Sequence, residues 1–127
     1  MTYIELKEKD FILLLENYFR NLNPGLEIKV ELYIKIDRVG LYEHIVKKCT
    51  VRVTSTRKIN VNNKIVKQNK IEEISDEKLK EILGSILNEE VCNIKFGITT
   101  GGYFEDYDRV YKVTINLSKD SKLKLRM

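Results

Sequence analysis

Residues 26–37 restrict the fold more than any other stretch of the chain. Leu26, Ile28, Val30, Leu32, Ile34 and Ile36 alternate with Glu27, Lys29, Glu31, Tyr33, Lys35 and Asp37. A period of two held over twelve residues specifies a β-strand with one buried and one solvated face. At roughly 3.3 Å per residue such a strand reaches about 40 Å, long for a chain of 127 residues.

The neighbouring patterns supply the remaining elements. Upstream, Phe11, Leu14, Leu15, Tyr18, Phe19 and Leu22 follow helical spacing, with Asp10 as the expected N-cap. Asn23-Pro24-Gly25 ends that helix, since proline cannot continue it and glycine accepts the sharp turn. Gly40 falls in the turn or loop that follows the strand. A second extended segment then runs from about Ile45 to Val61, rich in β-branched Thr50, Val51, Val53, Thr54 and Thr56. Asn62-Asn63 is a two-residue hairpin turn, because asparagine tolerates the positive φ such turns require. Lys64–Ile71 returns antiparallel. Ser75 caps a second helix, with Asp76 and Glu77 placed favourably against its dipole and Leu79, Ile82, Leu83, Ile86 and Leu87 as its apolar stripe. Cys92, Ile94, Phe96 and Ile98 alternate as a fourth strand, and Tyr111, Val113, Ile115 and Leu117 as a fifth.

The expected architecture is a single α+β domain over residues 1–127. It has an antiparallel sheet of about five strands with two helices packed on one face, in the order α-β-β-β-α-β-β. Phe11, Leu15, Tyr18, Leu22, Leu79, Ile82, Leu83 and Ile86 should pack on the sheet face carrying Ile28, Val30, Leu32 and Ile34. A hydrophobic fraction of 43% suits a globular chain. No apolar run approaches the roughly 20 residues that span a bilayer, and the first residues lack a signal-peptide core. The expectation is a soluble, intracellular domain with no membrane partner.

Catalytic and cofactor patterns do not emerge. The only histidine, His44, lies in Leu41-Tyr42-Glu43-His44, a turn-like segment without a glycine-flanked nucleophile. No phosphate-cradling glycine motif occurs, and Gly101-Gly102 is more simply a hairpin turn. Glu105, Asp106 and Asp108 lack the central glycine and closing glutamate of a calcium loop. Cys49 and Cys92 have no CxxC spacing and sit in strand-like apolar patterns, as small buried hydrophobes do. With one histidine, a structural zinc site is excluded. The chain is expected to be no enzyme and to need no metal or cofactor.

Charge is distributed unevenly. The net charge is +4, yet residues 45–70 hold eight bases and no acid: Lys47, Lys48, Arg52, Arg57, Lys58, Lys64, Lys67 and Lys70. These fall on the expected hairpin, making it a protruding basic β-ribbon. Lys119, Lys122, Lys124 and Arg126 add a second basic run. A basic ribbon neutralises phosphates or docks on an acidic protein surface, and lysines also guard strand edges. Residues 45–70 contain no aromatic to stack on bases. The order α-β-β-β-α is similar to that of a double-stranded-RNA-binding domain, but that module opens its last helix with lysines, whereas Ser75-Asp76-Glu77 is acidic. Nucleic acid is therefore the second choice of partner. Aromatics gather instead with acids in Tyr103, Phe104, Glu105, Asp106, Tyr107 and Asp108. This loop and the ribbon are complementary surfaces which, repeated head to tail, close a ring. Solvent-facing Arg52 and Arg57 should serve that contact while carrying little of the fold.

The order and size of the elements resemble those of the small tail-terminator and neck (tail-completion) proteins of tailed bacteriophages. Asp10–Leu22 is similar to their first helix, 26–37 and 47–57 to their central strands, Asp76–Leu87 to the second helix and 109–117 to the closing strand. The hairpin at Asn62-Asn63 departs from the simplest family pattern. The resemblance implies a non-enzymatic homo-oligomeric ring, commonly a hexamer, that joins other tail or neck proteins. Its location would be the virion, or the bacterial cytoplasm during assembly.

Overall fold

A computed structural model describes residues 2–39, 44–100 and 108–118. The chain runs β1 (Tyr3–Lys7), α1 (Glu8–Leu22), β2 (Glu27–Val39), β3 (His44–Val61), β4 (Lys64–Ile74), α2 (Asp76–Leu87), β5 (Val91–Thr100) and β6 (Asp108–Leu117). The class is α+β. The expected single sheet is instead two antiparallel three-stranded sheets, ordered β1-β6-β5 and β2-β3-β4.

β1 is the element the sequence reading omitted. Its alternation, Tyr3-Ile4-Glu5-Leu6-Lys7, lasts only five residues, and its ladder partner is β6, with Tyr3 opposite Asn116 and Lys7 opposite Lys112. β1 runs directly into α1, leaving no connector in which Asp10 could act as cap. Lys7 holds the cap position without a side-chain hydrogen bond, and Glu8 and Asp10 lie in the first turn. There they still favour the positive end of the helix dipole. The α1 C-terminus stops at Asn23, whose backbone N–H donates to the Phe19 and Arg20 carbonyls, and Gly25 takes φ +86° in the turn beyond. Ser75 caps α2 as expected, its hydroxyl accepting from the Lys78 N–H at 3.2 Å.

One core joins the two sheets. Phe11 and Leu15 of α1 and Leu79, Ile82 and Leu83 of α2 are buried with Ile28, Val30, Val51 and Val53 of one sheet and Val110, Val113, Ile115 and Leu117 of the other. α1 lies against β2 and also against β1 and β6, while α2 lies against β5, so the helices do not share one face of one sheet. An edge-to-face contact between Phe11 and Phe96, centroids 5.9 Å apart, ties α1 to β5. Tyr18, Ile86, Leu32 and Ile34 are half-buried around this core. Leu22, in the last turn of α1, is 60% exposed, contrary to expectation, because the chain turns away at Asn23.

Two bulges displace residues that simple alternation would bury. Between β5 and β6, Val91 faces Leu117 and Asn93 faces Asn116, so Cys92 is the extra residue. It is exposed rather than a buried hydrophobe, and Val91 takes the inward place. Near the other end, Gly97 faces Lys112 and Ile98 faces Val110, which makes Tyr111 the extra residue on β6. Val110 is buried in its stead and Tyr111 is 49% exposed. The Tyr111 ring lies over Gly97, where a Cβ would sit 2.8 Å from it. Cys49 is buried as expected. Its thiol is pushed up to about 12, chiefly by burial, with the Glu8 and Asp76 carboxylates adding to the effect.

Two outcomes check this packing. Leu83 is fully buried, so Leu83→Ala should lower stability by about 2–5 kcal/mol in urea denaturation. At pH 8 a thiol reagent should label Cys92 quickly in the native protein and Cys49 only after unfolding.

Candidate interaction surface

The surface follows from the unequal reach of the strands around β3. The eighteen residues of β3 span roughly 60 Å. β2 pairs with β3 from Val39↔His44 to Glu27↔Thr56, and β4 pairs with it from Val51↔Ile74 to Val61↔Lys64. Only Val51–Thr56 therefore has a neighbour on both sides. Past Thr56 the sheet narrows to a two-stranded ribbon, Arg57–Val61 against Lys64–Gln68, about 17 Å long before its turn. Asn62 and Asn63 close it with φ +50° and +62°, the doubly left-handed pair of a type I′ turn.

The eight bases grouped by sequence do not form one patch. Lys47 and Lys48 lie at the opposite end of β3, far from the turn, with Lys48 opposite Lys35 of β2. Arg52 sits in the three-stranded middle. The ribbon and its base carry Arg57, Lys58, Lys64, Lys67 and Lys70, all exposed. Of these, Arg57 donates to the Gln68 side-chain carbonyl at 3.0 Å, and Lys70 pairs with Glu72 at 2.9 Å. Lys58 and Lys67 face each other across the ladder, and neither they nor Lys64 make an ion pair among the described residues. Beside them Val61, Val66 and Ile65 stay exposed, Ile65 at 77%.

Arg52 is engaged within its own chain, contrary to the expectation of a free interface residue. Its register partners are Glu31 on β2 and Glu73 on β4. The guanidinium lies 4.1 Å from the centroid of Tyr33 and 3.4 Å from the Glu73 carboxylate, which Lys35 also reaches at 3.4 Å. Tyr33 donates its hydroxyl to Glu31 at 2.7 Å, and Lys29 approaches the same carboxylate at 3.4 Å. The Tyr33 hydroxyl holds the Glu31 carboxyl below its usual range; burial, the next largest effect, opposes it, and Lys29 and then Arg52 lower it further. The Arg52 hydrogen bond and Lys35 lower Glu73 in the same way. The sequence reading missed Glu31, Tyr33 and Glu73 as its partners. Each has the solvent-face parity of its strand, but only the register brings them together.

Tyr103, Phe104, Glu105, Asp106 and Tyr107 lie outside the described residues, and Asp108 opens β6 opposite Thr100. His44 is the first residue of β3, paired with Val39, rather than part of a turn. Among the described residues no cluster of three or more histidine, cysteine or carboxylate side chains is arranged to hold a metal ion.

The outer-face network makes a prediction with a pH signature. Glu31 and Glu73 are held below the ordinary glutamate value of 4.5, so the stability they add is complete above that pH. It is lost as the pH falls through their lower folded values. Arg52→Glu, set between two glutamates, should cost about 2 kcal/mol at pH 7 and flatten this acid dependence. Lys58→Glu should leave the urea midpoint unchanged or raise it, by relieving the repulsion with Lys67.

Comparison with protein families, with characterised proteins and with solved structures finds no match to this chain.

Proposed function

We propose that the chain is a non-enzymatic structural subunit that assembles with copies of itself into a ring, of the tail-terminator or head–tail connector type in a phage or phage-tail-like particle. The observation that carries this reading is the ribbon from Arg57 to Gln68. It leaves the body with Lys58, Lys64 and Lys67 unneutralised and Val61, Ile65 and Val66 in water. Lysines alone would suit a phosphate backbone. The apolar side chains between them gain only if another surface removes them from water, which a protein provides. An acidic, aromatic surface such as residues 103–108 of the next copy supplies both kinds of contact. Lys58, Lys64 and Lys67 replace Arg52 as the ring's basic side. Other tail or neck proteins would meet the ring's remaining faces.

The alternative is a small nucleic-acid-binding protein that uses the same ribbon, which carries no acid from Arg57 to Lys70. Native mass spectrometry with a salt-titrated DNA and RNA binding assay separates the two. For the ring, the wild type should have three or more times the 15.0 kDa subunit mass. Lys58→Glu with Lys67→Glu should break the ring, leaving species no larger than a dimer, without changing circular dichroism. A monomeric wild type that binds nucleic acid, with affinity falling steeply with salt, would replace the ring by the alternative.

A further inference from the structure

The backbone of β4 offers a second contact, distinct from the side chains at the ribbon tip. The two-residue turn makes Val61↔Lys64 a hydrogen-bonded pair, and the β3–β4 register runs without a shift from there to Val51↔Ile74. Even-numbered residues of β4 therefore bond to β3. The N–H and C=O groups of Ile65, Lys67, Asn69, Ile71 and Glu73 point away from it, along the free edge of the sheet. Every residue from Lys64 to Glu73 is exposed, so no other described element covers that edge. An edge of this length is a template for another strand.

The charges along β4 indicate which strand. Lys64, Lys67 and Lys70 occupy its first part, and Glu72 and Glu73 its last, followed by Asp76 and Glu77 at the start of α2. A strand that changes from basic to acidic along its length is complementary to itself when antiparallel. We infer that the free edge of β4 pairs antiparallel with β4 of a second copy about a two-fold axis at Ile71, joining two three-stranded sheets into one of six. In that register each Lys70 faces Glu72 of the partner subunit and each Asn69 faces the partner's Glu73. The two Ile71 side chains, 61% exposed in the single chain, meet at the axis. The ribbon lysines, Lys67 first, then run alongside the acidic start of the partner's α2.

This pairing does not rest on the ring reading, because it uses the strand edge rather than the ribbon tip. Were a ring to form, the same contact would join two rings face to face, since a two-fold added to a cyclic assembly makes a dihedral one. The test is sedimentation equilibrium on the full chain over a wide concentration range. Asn69→Pro removes an outward N–H and no backbone bond to β3, and the one side-chain bond it loses, the Thr56 hydroxyl to Asn69 Oδ1 at 2.8 Å, is exposed, so the variant should fold and lose the pair: dimer to monomer, or double ring to single. Lys70→Glu and Glu72→Lys should each weaken association roughly tenfold, and the two together should restore it. The inference is overturned by a wild type without two-fold pairing at any concentration, by a folded Asn69→Pro variant that pairs as well as wild type, or by a double reversal that recovers nothing. If Asn69→Pro does not fold, the reversal series decides alone.

Discussion

The backbone hydrogen bonds of β3 are satisfied on both sides only between Val51 and Thr56. That short stretch is where sheet, core and surface network are all anchored. Val51 and Val53 point inward to the helices, while Arg52 points outward between Glu31 and Glu73. On either side of it the strand continues with one neighbour, β2 in one direction and β4 in the other. Toward His44 the ladder still packs on the core through Cys49 and Ile34, whereas the ribbon beyond Thr56 buries little side-chain area and adds little to folding stability. The length of the ribbon is not accounted for by packing against the described core.

The same geometry changes the meaning of the charge map. Read along the chain, residues 45–70 are free of acid, and all eight bases look available. Across the ladder the count differs, because β2 brings Glu31 and the end of β4 brings Glu73 to the side of Arg52. Of the bases without an ion pair among the described residues, Lys58, Lys64 and Lys67 lie beyond the reach of β2, on the ribbon. The surplus of positive charge lies on the part of the molecule with the least packing behind it.

Much of the fold was legible in the residues. The period of two in 26–37, the turn at Asn62-Asn63, the Ser75 cap and the helix stripes that bury Leu15 and Leu83 all depend on neighbours within a few positions. What the sequence hid depends on partners far away. β1 is too short to recognise until β6 is beside it. Cys92 and Tyr111 have the parity of buried residues, and only a ladder with one extra residue on one side turns them outward. Division into two sheets has no local signature, since each strand is equally amphipathic in either arrangement. Of the site, the ribbon was legible. The pairing of Arg52 with Tyr33 and Glu73, and the free edge of β4, required the register.

The pairing of β1 with β6 places Tyr3 opposite Asn116, and it sets an order of events. The sheet β2-β3-β4 is a meander whose contacts close over short loops, and it can form as soon as Ile74 has left the ribosome. β1 has no ladder to join until β6 exists, and Val113, Ile115 and Leu117 are missing from the core until then. A nascent chain therefore has only α1 to cover the inner face of a finished sheet while its first strand waits for its last. During that interval the charges of β4, Lys64, Lys67, Lys70, Glu72 and Glu73, are what keep its open edge from other strands.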